Sequence, residues 1–472
     1  MLKITHIETI TISLVEYYAL KEECNTFKIL AAELQEQILS LQQQNKSLQE
    51  QIQLLKNGRN SNTSSTPPSQ DIGRSNKKNS RQPSSRKTGG QMGHEGSNLK
   101  MKETPDEVVE HRPDFCNQCG ESLATGEAAL VSRKQEVELP PIIPHYVEHQ
   151  SYACRCGKCG FLTIAQLPER LKANVQYGPE IIAWAAYFSV RQYLPYNRIS
   201  EMMRDCFHLP ISKGTIDNML DNLTEKAQDI YEQIRKRVEQ SPVAGGDETG
   251  IKINGKKGWL WTVQTPLLTF LSAAMSRGYE TINRLFKNGF PVSVYVTDCW
   301  AAQLKVITKA KQICTAHLLR ELSNFIDVFQ CRWSAKMKQL LKDAIELKTQ
   351  LEPRDYASLC EKVIHIQHQL DELLKTTPDD KHKKVQTFIK RLNKNHDAIL
   401  TFLYHPKVPP DNNGSERAIR NAKVKMKVSS QFRSFEGAHR FAVLRSIIDT
   451  TIKNSQNVLE ALCLLAKRTE TC

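Results

Sequence analysis

No apolar run in this chain approaches the ~20 residues that a membrane-crossing helix needs. Nor does the N-terminus offer a basic start followed by an apolar block, because Glu8 and Glu16 interrupt its apolar residues. No membrane span and no secretory signal are therefore expected, and the cytoplasm is the expected location. Acidic charge is in deficit: 51 Asp and Glu stand against 65 Lys and Arg, leaving a net charge of +14 and a pI near 9.1. An excess of that size favours a polyanionic partner, nucleic acid before membrane. A disulfide framework is missing too. The 13 cysteines are odd in number and mostly scattered singly, which suits a reducing compartment and makes metal ligation the expected use where they cluster. With 472 residues, 40% of them hydrophobic, the chain is long enough for several cores, roughly three at about 150 residues each.

The N-terminal stretch has a heptad seam. Leu34, Ile38, Leu41, Leu48, Ile52 and Leu55 alternate in steps of four and three, with Asn45 in the one remaining core position. Leucine at d, isoleucine at a and a single buried asparagine at a favour a parallel, in-register homodimer, or a higher assembly built on it. A helix packed on its own chain would show a less regular seam. From Asn57-Gly58 to about Lys102 the chain is rich in Ser, Asn, Pro, Gly and basic residues, too polar to fold alone and suited either to tethering or to holding phosphates without reading sequence. Next come Cys116-Asn-Gln-Cys119-Gly120 and Cys154-Arg-Cys156-Gly-Lys-Cys159-Gly160. Two Cys-x-x-Cys turns supply four thiolates for one tetrahedral, structural Zn2+, with Cys116, Cys119, Cys156 and Cys159 assigned and Cys154 as a possible substitute for Cys156. Residues 131–139 and 142–147 then read as strands of a zinc ribbon.

From Gly178 the pattern is helical. A break at His208-Leu-Pro210 is followed by Ser212 as N-cap of a helix over 213–223, which resembles a helix-turn-helix with Lys213, Thr215 and Asn218 facing a DNA groove. Many helical hairpins share this outline. After Ser241-Pro242 the period changes. The runs 243–253, 259–264 and 267–274, with Asn254-Gly255 as a hairpin turn, predict an antiparallel meander. A helix over 279–287 then leads to Val292-Ser-Val-Tyr-Val-Thr297, apolar enough for a buried parallel strand. That order opens a ribonuclease H-like fold. Residues 333–405 read as an α-helical insertion. Beyond Pro409-Pro410, Asp411 or Asn412 caps a helix that carries Glu416.

Three acids fall at element ends in this scheme: Asp247, Asp298 and Glu416. Singly, each is an ordinary surface carboxylate. Together they suit hard divalent cations, Mg2+ or Mn2+, facing a phosphate, while Arg417, Arg420, Lys423, Lys425 and Lys427 provide a phosphate-binding face. Cys314-Thr-Ala-His317 is half a zinc site without a second half, so a supporting or core role is expected of it.

Several motifs carry a resemblance. Asp247-Glu-Thr, Thr297-Asp-Cys-Trp300, Cys314-x-x-His317-x-x-Arg320-Glu-Leu, Asp411-Asn-Asn-x-x-Glu416-Arg-x-x-Arg420 and Lys423-Val-Lys-x-Lys-Val-Ser-Ser-x-Phe432-Arg-Ser-x-Glu-Gly437 resemble the transposases of the bacterial insertion-sequence 66 family. So does Gly89-Gly-Gln-Met-Gly-His94. The resemblance covers nearly the whole chain and implies that Asp247, Asp298 and Glu416 are a DDE catalytic triad. It further implies nicking by water at the element's inverted repeats, attack of the freed 3′-hydroxyl on target DNA, and small accessory proteins encoded alongside. Gln303, where many relatives have Tyr, and Met92, where Pro is common, depart from the pattern; neither is expected to touch a carboxylate.

The full expectation is a multidomain α+β protein. It comprises a coiled coil (1–58), a basic linker (59–105), a zinc ribbon (106–172), a helix-turn-helix-like domain (173–240), a ribonuclease H-like core (241–332 and 406–450) split by the α-helical insertion (333–405), and a helical tail (451–472). A nuclease of the same fold, or a DNA-binding regulator derived from a dead transposase, are the alternatives.

Overall fold

The computed structural model describes residues 13–57, 99–126, 128–356, 360–376 and 383–468. Helix α1 (Leu14–Asn57) is a single 44-residue helix, and the seam residues Leu34, Ile38, Leu41 and Leu48 are all at least half exposed along it. The side chains of Ile52 and Leu55, most of the linker, Met92 and the Gly89–His94 motif lie outside the described residues.

The ribbon strands expected at 131–139 and 142–147 are not present; that stretch has no regular secondary structure, and Val131 and Leu139 are almost wholly in water. With no core beneath them, these apolar residues have nothing to pair against. Among the described residues, regular structure in this region is limited to the antiparallel pair β1 (Ala153–Arg155) and β2 (Leu162–Ile164), and to an isolated bridge between Phe115 and Ser122.

A helical segment follows: α2 (Pro179–Ala186), which ends in a π-helical turn over Tyr187–Arg191, α3 (Tyr196–Phe207) and α4 (Lys213–Glu239). The Ser212 hydroxyl caps α4 by accepting the Thr215 N–H at 3.1 Å. At 27 residues α4 runs far past the expected 213–223, since its buried positions Ile216, Leu220, Leu223, Ala227, Tyr231, Ile234 and Val238 repeat at helical spacing with no breaker.

The sheet is mixed and five-stranded. In spatial order it runs β5-β4-β3-β6-β7, with β3 (Val243–Ile253), β4 (Lys256–Gln264) and β5 (Thr269–Ala274) antiparallel, and β6 (Phe290–Thr297) and β7 (Thr308–Ile313) parallel to β3. Short helices α5 (Tyr279–Leu285) and α6 (Ala301–Leu304) lie before and after β6. Asn254 and Gly255 have φ of 44° and 73°, the paired positive values of a tight hairpin turn. Helix α7 (Thr315–Phe329) then leads into α8 (Arg332–Gln350), α9 (Glu361–Lys375) and α10 (Lys383–Lys394). The chain returns through α11 (Asn413–Ser429), α12 (Phe435–Lys453) and α13 (Val458–Lys467).

Two apolar cores meet at this sheet. One joins α2 to α4, α12 and α13 to residues of β3, β4 and β5; the other joins α7 to α10 to Val294, Val296 and Ile313 of β6 and β7. The helical segment before the sheet therefore shares the core of the sheet itself.

Candidate active site

Strand register brings the first two acids together. Gly245 of β3 pairs with Val296 of β6, so Asp247 and Asp298, two residues further on each strand, emerge side by side. Asp247 is half-buried, and the amide of Glu248 donates to its Oδ1 at 2.8 Å. Asp298 lies just past β6, where its Oδ1 accepts the Trp300 N–H at 3.0 Å.

Helix α11 delivers Glu416 to the same end of the sheet. Asn412 does not cap the helix with its side chain. Its Nδ2 instead donates to the Gly246 carbonyl at 2.7 Å, its Oδ1 accepts from Ser415 Oγ at 2.7 Å, and its N–H reaches Cys314 Sγ at 3.2 Å. The close approach requires glycine on the strand: a Cβ on Gly245 would stand 2.7 Å from Asn412 Oδ1. Asp411 satisfies the first turn by accepting the Asn413 N–H at 3.0 Å. At the far end of α11, the Phe432 N–H donates to Lys252 O and the Asn254 N–H to Phe432 O, both at 2.8 Å. The helix is thus fastened to β3 at its beginning and to the β3–β4 hairpin at its end. Thr315 closes the neck of the insertion by donating both its N–H (3.0 Å) and its hydroxyl (2.9 Å) to Pro410 O.

Glu416 is met by the Cys314 motif. Arg320 donates to Glu416 Oε1 at 3.1 Å, and His317 Nε2 stands 3.9 Å from the same oxygen. Burial lowers the His317 pKa, with the Arg320 charge acting in the same direction and Asp298 and Glu416 opposing it. Cys314 is fully buried, and burial pushes its thiol up to about 11, which fits a packed core group. Burial first, and then the charges of Asp298, Glu248 and Glu416, push the Asp247 carboxyl well above the usual range. A site where several carboxylates oppose each other's ionisation has the donor chemistry that a divalent cation relieves.

The expected phosphate contacts are placed unevenly. Arg417, Arg420 and Lys427 are exposed on α11, Lys423 is half-buried, and Lys425 is half-buried with its pKa brought down to about 8 by desolvation. Lys213 and Asn218 are exposed at the start of α4, while Thr215 is held by Ser212 through its N–H and its hydroxyl. The same turns of α4 carry Asp217 and Asp221, both paired to Arg440 of α12.

Gln303 corrects one expectation, for it does touch a carboxylate. It is fully buried, and its Nε2 donates to Glu248 Oε2 at 2.6 Å. Glu248 itself, its partner Arg277 and the Arg320–Glu416 contact were not singled out by sequence reasoning. A lone Glu in the apolar alternation of β3 was the available signal for the first.

The cysteine turns are near duplicates. The Gly120 N–H donates to Cys116 O and the Gly160 N–H to Cys156 O, both at 2.9 Å, with φ of 76° and 73° at the glycines. Amides of Cys119 and Gln118 hold the Cys116 thiol below its ordinary pKa, as amides of Cys159 and Lys158 do for Cys156. Cys154 lies outside the turn, on β1 opposite Thr163. The two turns stand as separate pairs, and among the described residues no three Cys, His, Asp or Glu side chains converge closely enough to form a complete ion site.

Residues 174–440 match the family model described as Transposase IS66 family, a span from the start of the helical segment through the sheet, the insertion and α11 to the beginning of α12. The protein is by class a transposase, an enzyme that cuts DNA. Within that class the chain belongs to the IS66 family. No curated protein matches it. Among the described residues no helix is long and apolar enough to cross a membrane.

Proposed function

We infer that the protein cuts and joins DNA at the ends of an insertion sequence, using Asp247, Asp298 and Glu416 as the catalytic acids on a ribonuclease H-like core. What supports this is the register that sets Asp298 beside Asp247 and the delivery of Glu416 by α11 to the same end of the sheet. The charges of Asp298 and Glu416 are near enough for both to raise the Asp247 pKa, although the three side chains do not close into a complete ion site here. Support for the core assignment comes from the sheet order, three antiparallel strands followed by two parallel ones. Mg2+ or Mn2+ held by these oxygens would activate the attacking oxygen and neutralise charge on the phosphorus. The chain's own groups do the positioning. Arg320 fixes the Glu416 carboxylate, Asn412 fixes the helix bearing it, and the exposed Arg417 and Arg420 offer cations to the flanking phosphates.

Around this centre, Lys213 and Asn218 on α4 are candidate contacts to the terminal repeats, with Lys423 and Lys425 secondary to the two arginines. Cys116, Cys119, Cys156 and Cys159 would hold one structural Zn2+, which the lowered thiols of Cys116 and Cys156 favour. The exposed stripe Leu34, Ile38, Leu41 and Leu48 supports a homodimer through α1. Element ends, target DNA and accessory proteins of the element are the expected partners, in the bacterial cytoplasm.

The decisive test is Asp298→Asn on DNA carrying the element's ends. Cleavage should fall by about a thousandfold or more, the scale of losing a catalytic group, with DNA binding nearly unchanged. Normal cleavage by the variant would remove Asp298 from the site. Strand-transfer products in the same assay separate a transposase from a nuclease, and a wild-type chain that binds DNA but never cuts it in Mg2+ or Mn2+ would make the regulator the better description.

A further inference from the structure

Alternation along β3 turns Glu248 to the sheet face opposite Asp247. There its carboxylate is removed from water, accepting from Arg277 Nε at 2.6 Å and from Gln303 Nε2 at 2.6 Å. Gln303 in turn accepts from Tyr295 Oη at 2.8 Å, and both residues are fully buried. Arg277 is therefore anchored from below by a buried carboxylate, the arrangement that makes a partly buried charge pair rigid. Its guanidinium lies 3.7 Å from the ring centroid of Trp300 and 4.9 Å from that of Trp259. Trp300 belongs to the loop that carries Asp298, and its N–H is the donor to that acid. Trp300 nevertheless keeps 38% of its surface in water.

We propose that Trp300, backed by Arg277, is a stacking platform for an unpaired DNA base beside the acids. The proposal rests on the DNA-cleaving reading above and adds a ligand to it. One face of the indole is covered by a fixed planar cation, so accepting a base on the exposed remainder needs no rearrangement. A nucleobase is a flat π surface of comparable size, and stacking on an aromatic ring tolerates any sequence. The need for such a surface follows from the depth of the acids. Asp247 is half-buried and the Glu416 side chain is only 24% exposed, so a scissile strand must leave the regular duplex path to reach them, and a base beside the cut then loses its neighbour. Trp300 stands where that base emerges, tied to the second acid by its own backbone.

The test uses the full-length protein and two single-stranded probes of about ten nucleotides, oligothymidylate and a strand of the same length with abasic sites. Binding is followed by fluorescence anisotropy without added divalent metal. The wild type should prefer the thymidylate about tenfold, the size of one base–ring stack. Trp300→Ala should lose that preference while keeping its affinity for the abasic strand, and Trp300→Phe should retain most of it. Thermal melting of the variants checks that the loop is intact, and Trp300→Leu, apolar but without a π face, should also lose the preference and carries the test if the alanine variant melts early. A wild type without base preference, or a preference unchanged in Trp300→Ala, overturns the proposal. Its failure is separable from failure of the cleavage reading. A wild type that cuts duplex ends but shows no base preference loses only the platform, and one that never cuts yet loses base preference with Trp300→Ala keeps the platform and loses the catalytic assignment.

Discussion

Cys116–Cys119 and Cys156–Cys159 sit in two copies of one short turn, whereas Asp247, Asp298 and Glu416 share no local geometry at all. In the cysteine region each turn orients its own amides at its own sulfur, and little connects the two: the apolar residues between them are exposed, and the described chain forms only the short β1–β2 pair. In the sheet region nothing local prepares the acids. Register between β3 and β6 and the Asn412 contact of α11 bring them to the same end of the sheet, and two cores hold those elements there. The first region is prepared residue by residue and lacks an organising core. In the second a core is present, and the charges crowded on it oppose one another.

The largest expected difference concerns dependence on metal. If one Zn2+ joins the two turns, its removal forfeits a binding energy of about 10 kcal/mol, the order found for small structural zinc sites. Elemental analysis should then find one zinc per wild-type chain and none in Cys119→Ser/Cys159→Ser, with residues 106–172 becoming protease-sensitive while the melting transition of the sheet region stays in place. A zinc-free wild type with a protease-resistant 106–172 would erase the contrast. Next in size is Gly246→Ala. Its Cβ would come 1.7 Å from Tyr295 Oη on a fully buried ring, so about 3 kcal/mol of stability should be lost, the upper range for overpacking, read from the denaturation midpoint.

Asp247→Asn sharpens the comparison from the other side. The folded-state pKa of Asp247 lies above its ordinary value of 3.8, so its contribution to stability is fully present below 3.8 and is lost as pH rises through the raised value. At neutral pH the asparagine variant should melt a few degrees higher than the wild type while losing DNA cleavage, and the gain should vanish near pH 3. Millimolar Mg2+ should raise the melting temperature of the wild type more than that of the variant. The smallest effect is expected of Arg320→Ala. Losing one charge-assisted contact to Glu416 should slow cleavage by about tenfold without altering the fold.

What the sequence made readable follows the same division. The Cys-x-x-Cys turns, the Asn254-Gly255 hairpin, the Ser212 cap and the apolar strand ending at Asp298 all depend on a few adjacent residues, and the structure has each of them. Strand β7 went unread because Thr308-Lys-Ala-Lys-Gln-Ile313 carries two lysines and borders the sheet, where one side stays wet. The strands expected at 131–139 and 142–147 had the right residues but nothing to lie against. The contact of Gln303 with a carboxylate was not legible because a glutamine's burial depends on partners 8 and 55 residues away. Asp298, just past β6, and Glu416, in the first turn of α11, lie at element ends as expected, whereas Asp247 lies inside β3, which continues unbroken to Ile253. The Arg320 contact and the Glu248 network were not legible, being products of how distant segments pack.

One consequence of the fastening of α11 concerns evolution rather than chemistry. The bonds described above that fix this helix end on β3 and its hairpin, on Cys314, on Arg320 of α7 or within its own turns, and Asn421 adds contacts to Tyr193 and to Asp449 of α12; none of these ends in α8, α9 or α10. The chain between α7, which carries Arg320, and Pro410 can then grow or shrink with its own packing while Glu416 keeps its place. Loop-closure entropy rises only with the logarithm of length, so such changes carry little thermodynamic penalty. The number of residues separating the second and third acids is therefore free to drift, while the glycines beneath Asn412 are not.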